Sequence, residues 1–421
     1  IFIICYKISR VNITNWLTGG ESKFLEDIEI TYGEIDIENC ENDRTKTTSF
    51  MTNVYKQKYE RVCIETFAPV TDEFVSNREI SILPFVPHNI DERATEILKL
   101  QAAGLAGRLK KINCESVVIG ISGGLDSTLA LIVAVEAFNI NGYDKKGIHA
   151  ITMPCYGTTD RTLNNARHLM EILEVTSYEI NIKDACEQHY KDIGYDKSKL
   201  DVTFENVQAR ERTQILMDVS NKIGSLVVGT GDLSELALGW CTYNGDQMSM
   251  YGVNASIPKT LVRGILESYA EHHEGLKDVL LDICDTPVSP ELLPPNEDGT
   301  IKQKTEDKIG SYVVHDFILY YMLRHGFGPK KIFDLYVNAK TMHEKNIGVK
   351  EPVVDKQELL KNMDIFYNRF WTQQFKRSCM PDGVKVGSVS LSPRGDWRMA
   401  SDACQGIWLD ELKDLKEKYC K

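Results

Sequence analysis

From about residue 90 onward the chain settles into a regular rhythm of apolar and polar positions. Residues 91–111 (DERATEILKLQAAGLAGRLKK) place apolar side chains three and four apart, the spacing of one helix face. The run SVVIGI (116–121) is short and apolar, and a helical, apolar-rich pattern follows from Ser127. The alternation continues with a strand at 147–154 (GIHAITMP), a helix starting near Asp160, a strand at 177–182 (SYEINI), a helix around 205–223 and a strand at 225–229 (SLVVG). Strands and helices in this order predict an α/β fold, a parallel sheet flanked by helices on both faces. Ligands in such sheets sit at the carboxyl ends of the strands.

Upstream the pattern is looser. Residues 25–38 (LEDIEITYGEIDIE) alternate as a strand does, and 41–50 (ENDRTKTTSF) form a polar break. Little periodicity follows, and LPFVPHN (83–89), with two prolines, reads as an extended entry segment. The expected division is an N-terminal piece at 1–60, a linker at 61–82 and a main domain at 83–421.

Composition narrows the function classes. The 421 residues are 42% hydrophobic, with 61 acidic against 49 basic residues and a net charge of −12. Such an acidic chain is a poor match for sequence-independent nucleic-acid binding, though a local basic pocket for an anionic small molecule is compatible with it. The eleven cysteines are scattered, with no C-x-x-C pair, which points to reduced thiols and a cytoplasmic protein. No apolar run approaches the length of a membrane span. Residues 1–6 are apolar but lack a leading basic region and a small-residue cleavage site, so they do not read as a signal peptide. The chain opens on Ile1, which suggests a missing N-terminal portion.

The most specific chemistry lies in GISGGLDS: Gly120, Ile121, Ser122, Gly123, Gly124, Leu125, Asp126 and Ser127. Placed between a strand and a helix, the glycines allow a tight turn, and the helix start presents N–H groups and a positive dipole end. Two serine hydroxyls complete a cradle suited to phosphate. A carboxylate inside such a cradle repels phosphate unless a cation intervenes, which gives Asp126 a role toward Mg²⁺. The string lacks the Gly-Lys-Ser/Thr ending of a Walker loop and the G-x-G-x-x-G of a dinucleotide fingerprint. It resembles the pyrophosphate-binding loop of the ATP pyrophosphatases, with their Rossmann-like fold. A second segment, GTGDLSELALGWCTYNGDQMSMYGVNASIPKTLVR (229–263), puts Thr230 at a strand end and Glu235 at the start of a short helix, with Asp246 and Lys259 in loops beyond. Taken singly, Glu235 also suits a helix cap and Lys259 a solvated surface position.

Both motifs, in this order and spacing, resemble the NAD synthetases, specifically the synthetase part of the glutamine-dependent enzymes. Residues 205–218 (ENVQARERTQILMD), 303–332 and 373–398 agree as well, so the resemblance runs from about residue 80 to the C-terminus. It implies ATP-dependent amidation of deamido-NAD to NAD through an adenylated intermediate, with Mg²⁺ screening the phosphates and AMP and pyrophosphate released. It implies that residues 120–127 and Thr230 bind ATP, that Asp126 and Glu235 meet the metal, and that Asp126 and Lys259 are catalytic. It assigns deamido-NAD to Asn206, Arg210, Glu235, Trp240, Cys241, Thr242, Tyr243, Asp246 and Lys376. Arg210 equally suits a salt-bridged helix face, Trp240 the core, and Lys376 a solvated pair with Arg377. The aromatic helix holding His315 and His325 reads as core or subunit contact. A homo-oligomer built on a dimer is also implied.

Residues 12–50 resemble the last strands of the nitrilase-like glutaminase domain, an α/β/β/α sandwich that supplies ammonia in those enzymes through a Glu-Lys-Cys trio. No room for that trio lies upstream of Cys5, which reads as a buried strand cysteine. The expectation is a synthetase fed by ammonia, with glutamine as the source in a complete protein. Two alternatives stay open: another ATP pyrophosphatase amidotransferase such as GMP synthetase, and a non-catalytic nucleotide-binding remnant. The cradle's dependence on its carboxylate gives a direct test. Asp126→Ala should abolish NAD formation with the fold intact by circular dichroism; near-normal turnover would remove the metal role from Asp126.

Overall fold

Five parallel strands, in the spatial order Thr176–Glu179 (β3), Ile148–Thr152 (β2), Val117–Gly120 (β1), Leu226–Gly229 (β4) and Tyr251–Gly252 (β5), form the central sheet of the protein. The computed structural model describes residues 78–287, 292–294, 305–345 and 353–420, with shorter stretches at 5–6, 11–14, 17–20, 30–31, 36–47 and 49. In chain order the sheet unit runs α1 (Ile90–Lys111), β1 (Val117–Gly120), α2 (Leu125–Asn141), β2 (Ile148–Thr152), α3 (Asp160–Ile172), β3 (Thr176–Glu179) and α4 (Lys183–Asp192). It continues through α5 (Val202–Ile223), β4 (Leu226–Gly229), α6 (Leu233–Leu238), β5 (Tyr251–Gly252), α7 (Lys259–His272), α8 (Glu274–Asp285), α9 (Thr305–Ile309) and the start of α10 (Tyr312–His325). The expected α/β class with a parallel sheet is the fold found.

The strand side chains alternate between two cores, as a period of two requires. Val117 and Ile119 of β1, with Leu226 and Val228 of β4, join the core under α1, α2, α3, α7 and α8. Val118, Ile151 and Val227 face the opposite core, with Cys186 and Tyr190 of α4 and Phe204 and Val207 of α5. Helix α2 buries twelve of its seventeen residues, which is why it reads apolar all round. Asp201 caps α5 by accepting from Thr203 N at 2.8 Å, and Gly224 ends it in the left-handed region at φ +68°.

The chain divides into two compact units, one comprising Leu83–Leu319 with Gln357–Lys421, the other Ile1–Ile82 with Tyr320–Lys356. In the second unit, Cys5–Tyr6 pairs antiparallel with Ile30–Thr31, and Val11–Thr14 with Leu17–Gly20. Of the strand expected over 25–38, Ile30–Thr31 is a strand and residues 25–29 and 32–35 lie outside the described residues, while its end is the start of a helix at Ile37–Lys46, which Asp36 caps by accepting the Asn39 N–H at 3.2 Å. The Asp36 carboxylate is buried between Arg78 at 3.2 Å and Lys331 at 3.4 Å. The side chain of Cys5 and most of the expected linker, residues 61–77, lie outside the described residues.

His315 of α10 is buried, with Nε2 2.6 Å from the Ile309 carbonyl. Burial holds its pKa down at about 4. A histidine with a depressed folded pKa contributes stability that is full above its unfolded value near 6.5 and is lost as pH falls toward 4. Wild type should therefore lose on the order of 3 kcal/mol over that window that His315→Gln does not lose. Urea unfolding at a series of pH values checks this; parallel stability curves for the two proteins would contradict it.

Candidate functional site

The sheet's winding reverses between β1 and β4, and the two motifs emerge side by side from the carboxyl ends of these strands. This is where an open parallel sheet presents a crevice. Ile121 N extends the β1–β2 ladder by donating to Ile151 O at 2.9 Å, and the loop then turns sharply. Gly123 has φ +84°, and a Cβ there would lie 2.1 Å from the Thr162 carbonyl oxygen, so only glycine fits. Gly124 N donates to Ser122 Oγ at 3.2 Å, Ser122 N donates to Ser127 Oγ at 3.3 Å, and Ser127 Oγ donates to Gly124 O at 3.2 Å. Gly124 caps α2 without a side chain, leaving the start of this helix to an anion.

A fully buried side chain ties the two motifs together. Asn254 Nδ2 donates to Asp126 O at 2.9 Å and to Thr230 O at 3.1 Å. Its own oxygen accepts from Gln101 Nε2 at 3.0 Å. Neither Asn254 nor Gln101 was singled out in the sequence.

At the mouth of the loop one ammonium meets three carboxylates. Lys259 Nζ lies 2.5 Å from Asp126 Oδ2, 2.6 Å from Asp232 Oδ2 and 3.1 Å from Glu235 Oε1. Lys259 and Asp232 are buried, while Asp126 and Glu235 are partly open. Lys259, expected in a loop, is the first residue of α7, because Pro258 fixes the entry to the helix. Asp232 caps α6 through Glu235 N at 2.8 Å and spends its second oxygen on Lys259. Burial works to lower the Lys259 ammonium, but the three carboxylates hold it well above the usual lysine range. Burial raises Asp232, and it raises Glu235 to about 7 despite Lys259.

This donor set fits a divalent cation. One oxygen from each of Asp126, Asp232 and Glu235 lies within 4.8 Å of the others, and Asp126 Oδ1 is buried with no hydrogen-bond partner. Three carboxylates against one ammonium leave negative charge over, and hard oxygen ligands suit Mg²⁺.

A second group begins beyond α6, a helix about 9 Å long at 1.5 Å per residue. Asp246 accepts from Thr242 N at 2.7 Å, and Thr242 Oγ1 donates to Asn206 Oδ1 at 2.7 Å. Arg210, one turn on from Asn206, is exposed, its guanidinium 3.4 Å from Tyr243 O. Tyr243 is exposed beside the Phe375 ring, with centroids 5.4 Å apart. Trp240 is half-buried under the Arg369 guanidinium. Cys241 is pushed upward by burial, so its thiol stays neutral. Lys376 Nζ donates to Gly239 O and Cys241 O, both at 2.7 Å. Its neighbour Arg377, almost completely buried, donates to Leu236 O at 3.1 Å and Ala237 O at 2.7 Å, and Arg369 Nε reaches Leu238 O at 3.0 Å. These cations satisfy the end of α6, where the helix dipole is negative. The residues expected at the site thus form two groups, one at the loop and one past α6.

Residues 97–346, well over half the chain and containing both motifs, match the family described as NAD synthase. The chain belongs to the NAD synthase family. It is 40% identical over 409 residues to the glutamine-dependent NAD(+) synthetase of Mycobacterium leprae, covering 90% of this chain and 59% of that protein. The corresponding enzyme of Mycobacterium tuberculosis is 38% identical over 422 residues, covering 94% and 61%. The chain therefore spans about three fifths of the length of these relatives. Among solved structures, a glutamine-dependent NAD(+) synthetase from Cytophaga hutchinsonii superposes with a TM-score of 0.61 over 77% of this chain and 56% of that one, at 18% identity, a likeness of fold. Among the described residues no helix is long and apolar enough to cross a membrane.

As a member of the NAD synthase family the chain has a charge cluster that can be tested without substrate. Lys259→Met leaves buried carboxylates uncompensated, and such losses cost roughly 3–5 kcal/mol. Asp232→Asn in the same chain should recover part of that. Urea unfolding in chelator measures both; a Lys259→Met protein within about 1 kcal/mol of wild type would mean the ammonium is not the counter-ion of the crevice.

Proposed function

We propose that the chain joins ammonia to the nicotinate carboxylate of deamido-NAD at the expense of ATP. The observation that carries this reading is the Lys259 ammonium set among three carboxylates at the foot of a phosphate-type loop. A carboxylate is a poor electrophile, so its oxygen first attacks the α-phosphorus of ATP. That step forms the acyl–O–P bond and breaks the bond to the β-phosphate bridging oxygen, releasing pyrophosphate. Ammonia then adds to the acyl carbon, AMP leaves with the C–O electron pair, and the nitrogen gives up a proton to yield the amide.

Each residue group has a part in this. The loop from Gly120 to Ser127 and the start of α2 would cradle the phosphates, with Thr230 at the neighbouring strand end. Asp126 and Glu235, joined by Asp232, would hold Mg²⁺, which when bound supplies positive charge to offset the phosphates. Lys259 adds a fixed cation where charge builds on the departing pyrophosphate. Asn206, Arg210, the segment from Trp240 to Tyr243, Asp246 and Lys376 would receive deamido-NAD, with Tyr243 offering an open aromatic face. That these groups flank the same short helix supports one bipartite site rather than two separate ones.

The test is NAD formation from deamido-NAD, ATP and Mg²⁺, with ammonium or glutamine supplied in parallel. Ammonium should support turnover, with one AMP and one pyrophosphate formed per NAD. A folded chain that binds ATP and makes no NAD with ammonium would favour a non-catalytic nucleotide-binding role. The glutamine arm reads whether residues 1–421 also release nitrogen from an amide.

A further inference from the structure

Lys259 can act as a fixed charge only if the start of α7 is itself fixed, and its own sequence does not provide for that. The residue at the N-cap is Pro258, with no side-chain acceptor to offer the first N–H groups of the helix. Those groups are satisfied from two other helices. Lys259 N donates to Ser234 Oγ of α6 at 2.9 Å. Thr260 N donates to Asp316 Oδ2 of α10 at 3.0 Å, and Thr260 Oγ1 donates to the same oxygen at 2.6 Å. The Ser234 hydroxyl in turn donates to Asp316 Oδ1. Ser234 and Asp316 are both about 1% exposed. One turn before Asp316 on the same helix, the Tyr312 ring lies 5.3 Å from Lys259 Nζ. A buried carboxylate that accepts three hydrogen bonds at the positive end of a helix is strongly held.

We propose that Asp316 is a positioning residue for the ATP-dependent step. It supplies the cap that α7 lacks and, through Ser234, fixes the helix carrying Glu235 against the helix carrying Lys259. The hydrogen bonds of the Asp316 carboxylate run to Ser234 and Thr260. The inference rests on the reading of the crevice as an ATP-using site. Serine 234 lies between two members of the charge cluster, so a shift of its helix moves Asp232 and Glu235 together.

Two substitutions separate this role from plain loss of stability. Asp316→Asn keeps an oxygen for Thr260 and an amide that can donate to Ser234 Oγ with the serine hydroxyl reversed. Asp316→Ala keeps neither. Asp316→Ala should lower kcat by roughly 10- to 100-fold while KM for ATP and deamido-NAD moves less than about threefold. Asp316→Asn should restore kcat to within about fivefold of wild type. Ser234→Ala breaks the same link, and adding it to Asp316→Ala should cost little more than the single change. Amide hydrogen exchange across 256–262 should quicken in Asp316→Ala and stay slow in Asp316→Asn, independently of turnover. Unchanged exchange and unchanged kcat in Asp316→Ala overturn the proposal, as does a loss confined to KM. If Asp316→Ala does not fold, a Ser234→Ala protein with wild-type kcat overturns it. A wild-type chain that makes no NAD fails the functional reading itself, and the positioning role with it, which is a different result from an active wild type with an equally active Asp316→Ala.

Discussion

One buried ammonium joins its own stretch of chain to two others whose carboxylates would otherwise repel each other. Asp126 arrives from the first turn of α2, Asp232 and Glu235 from the cap and first turn of α6, and Lys259 from the first turn of α7. Opposite charges at these distances attract strongly once water is excluded, but desolvation opposes bringing them there. The crevice is therefore a compromise: hydrophobic burial in two cores drives the sheet together, and the sheet's topology places the charges where they must be neutralised. Because one positive charge cannot balance three negative ones, the arrangement stays incomplete until another cation or a proton joins it. Burial, with the neighbouring carboxylates adding to it, raises both Asp232 and Glu235 against the pull of Lys259.

The second group depends on the first through α6. That helix is too short to be stable alone, since helices of one or two turns do not repay nucleation. It is held at its start by Asp232 and at its end by Arg369, Lys376 and Arg377, which lie far along the chain. Gly239 then ends it at φ +55° with no room for a side chain, since a Cβ would meet Gln373 at 2.3 Å. The turn holding Trp240 to Asp246 is thus built outward from a helix capped locally by Asp232 at its start and anchored by distant residues at its end.

The parts of this arrangement that could be read from the sequence are those carried by contiguous residues. The loop from Gly120 to Ser127 is one string between an apolar run and a helical pattern, and local geometry alone makes it a phosphate cradle. The central strands are legible because both faces of the sheet are buried, so SVVIGI and SLVVG read as short, near-continuous apolar runs between helical patterns. Asp232 was not, although it stands three residues before Glu235 where a cap is expected, because its second contact spans 27 residues to Lys259. Lys259 reads as a loop residue because nothing adjacent to Pro258 announces a cap; the caps come from Ser234 and Asp316. In the 376–377 pair the sequence favoured Lys376, whereas the more deeply enclosed partner is Arg377. Its burial depends on carbonyls of a helix some 140 residues earlier, which no local pattern records.

Asn254 binds the carbonyls of Asp126 and Thr230 with one amide. These two hydrogen bonds tie the loops into one body as the domain folds. The conformational entropy of shaping this loop pair is settled during folding, so the nucleotide proposed for it would meet a surface already in place. The same bridge couples the loops, so a length change in either would displace the other.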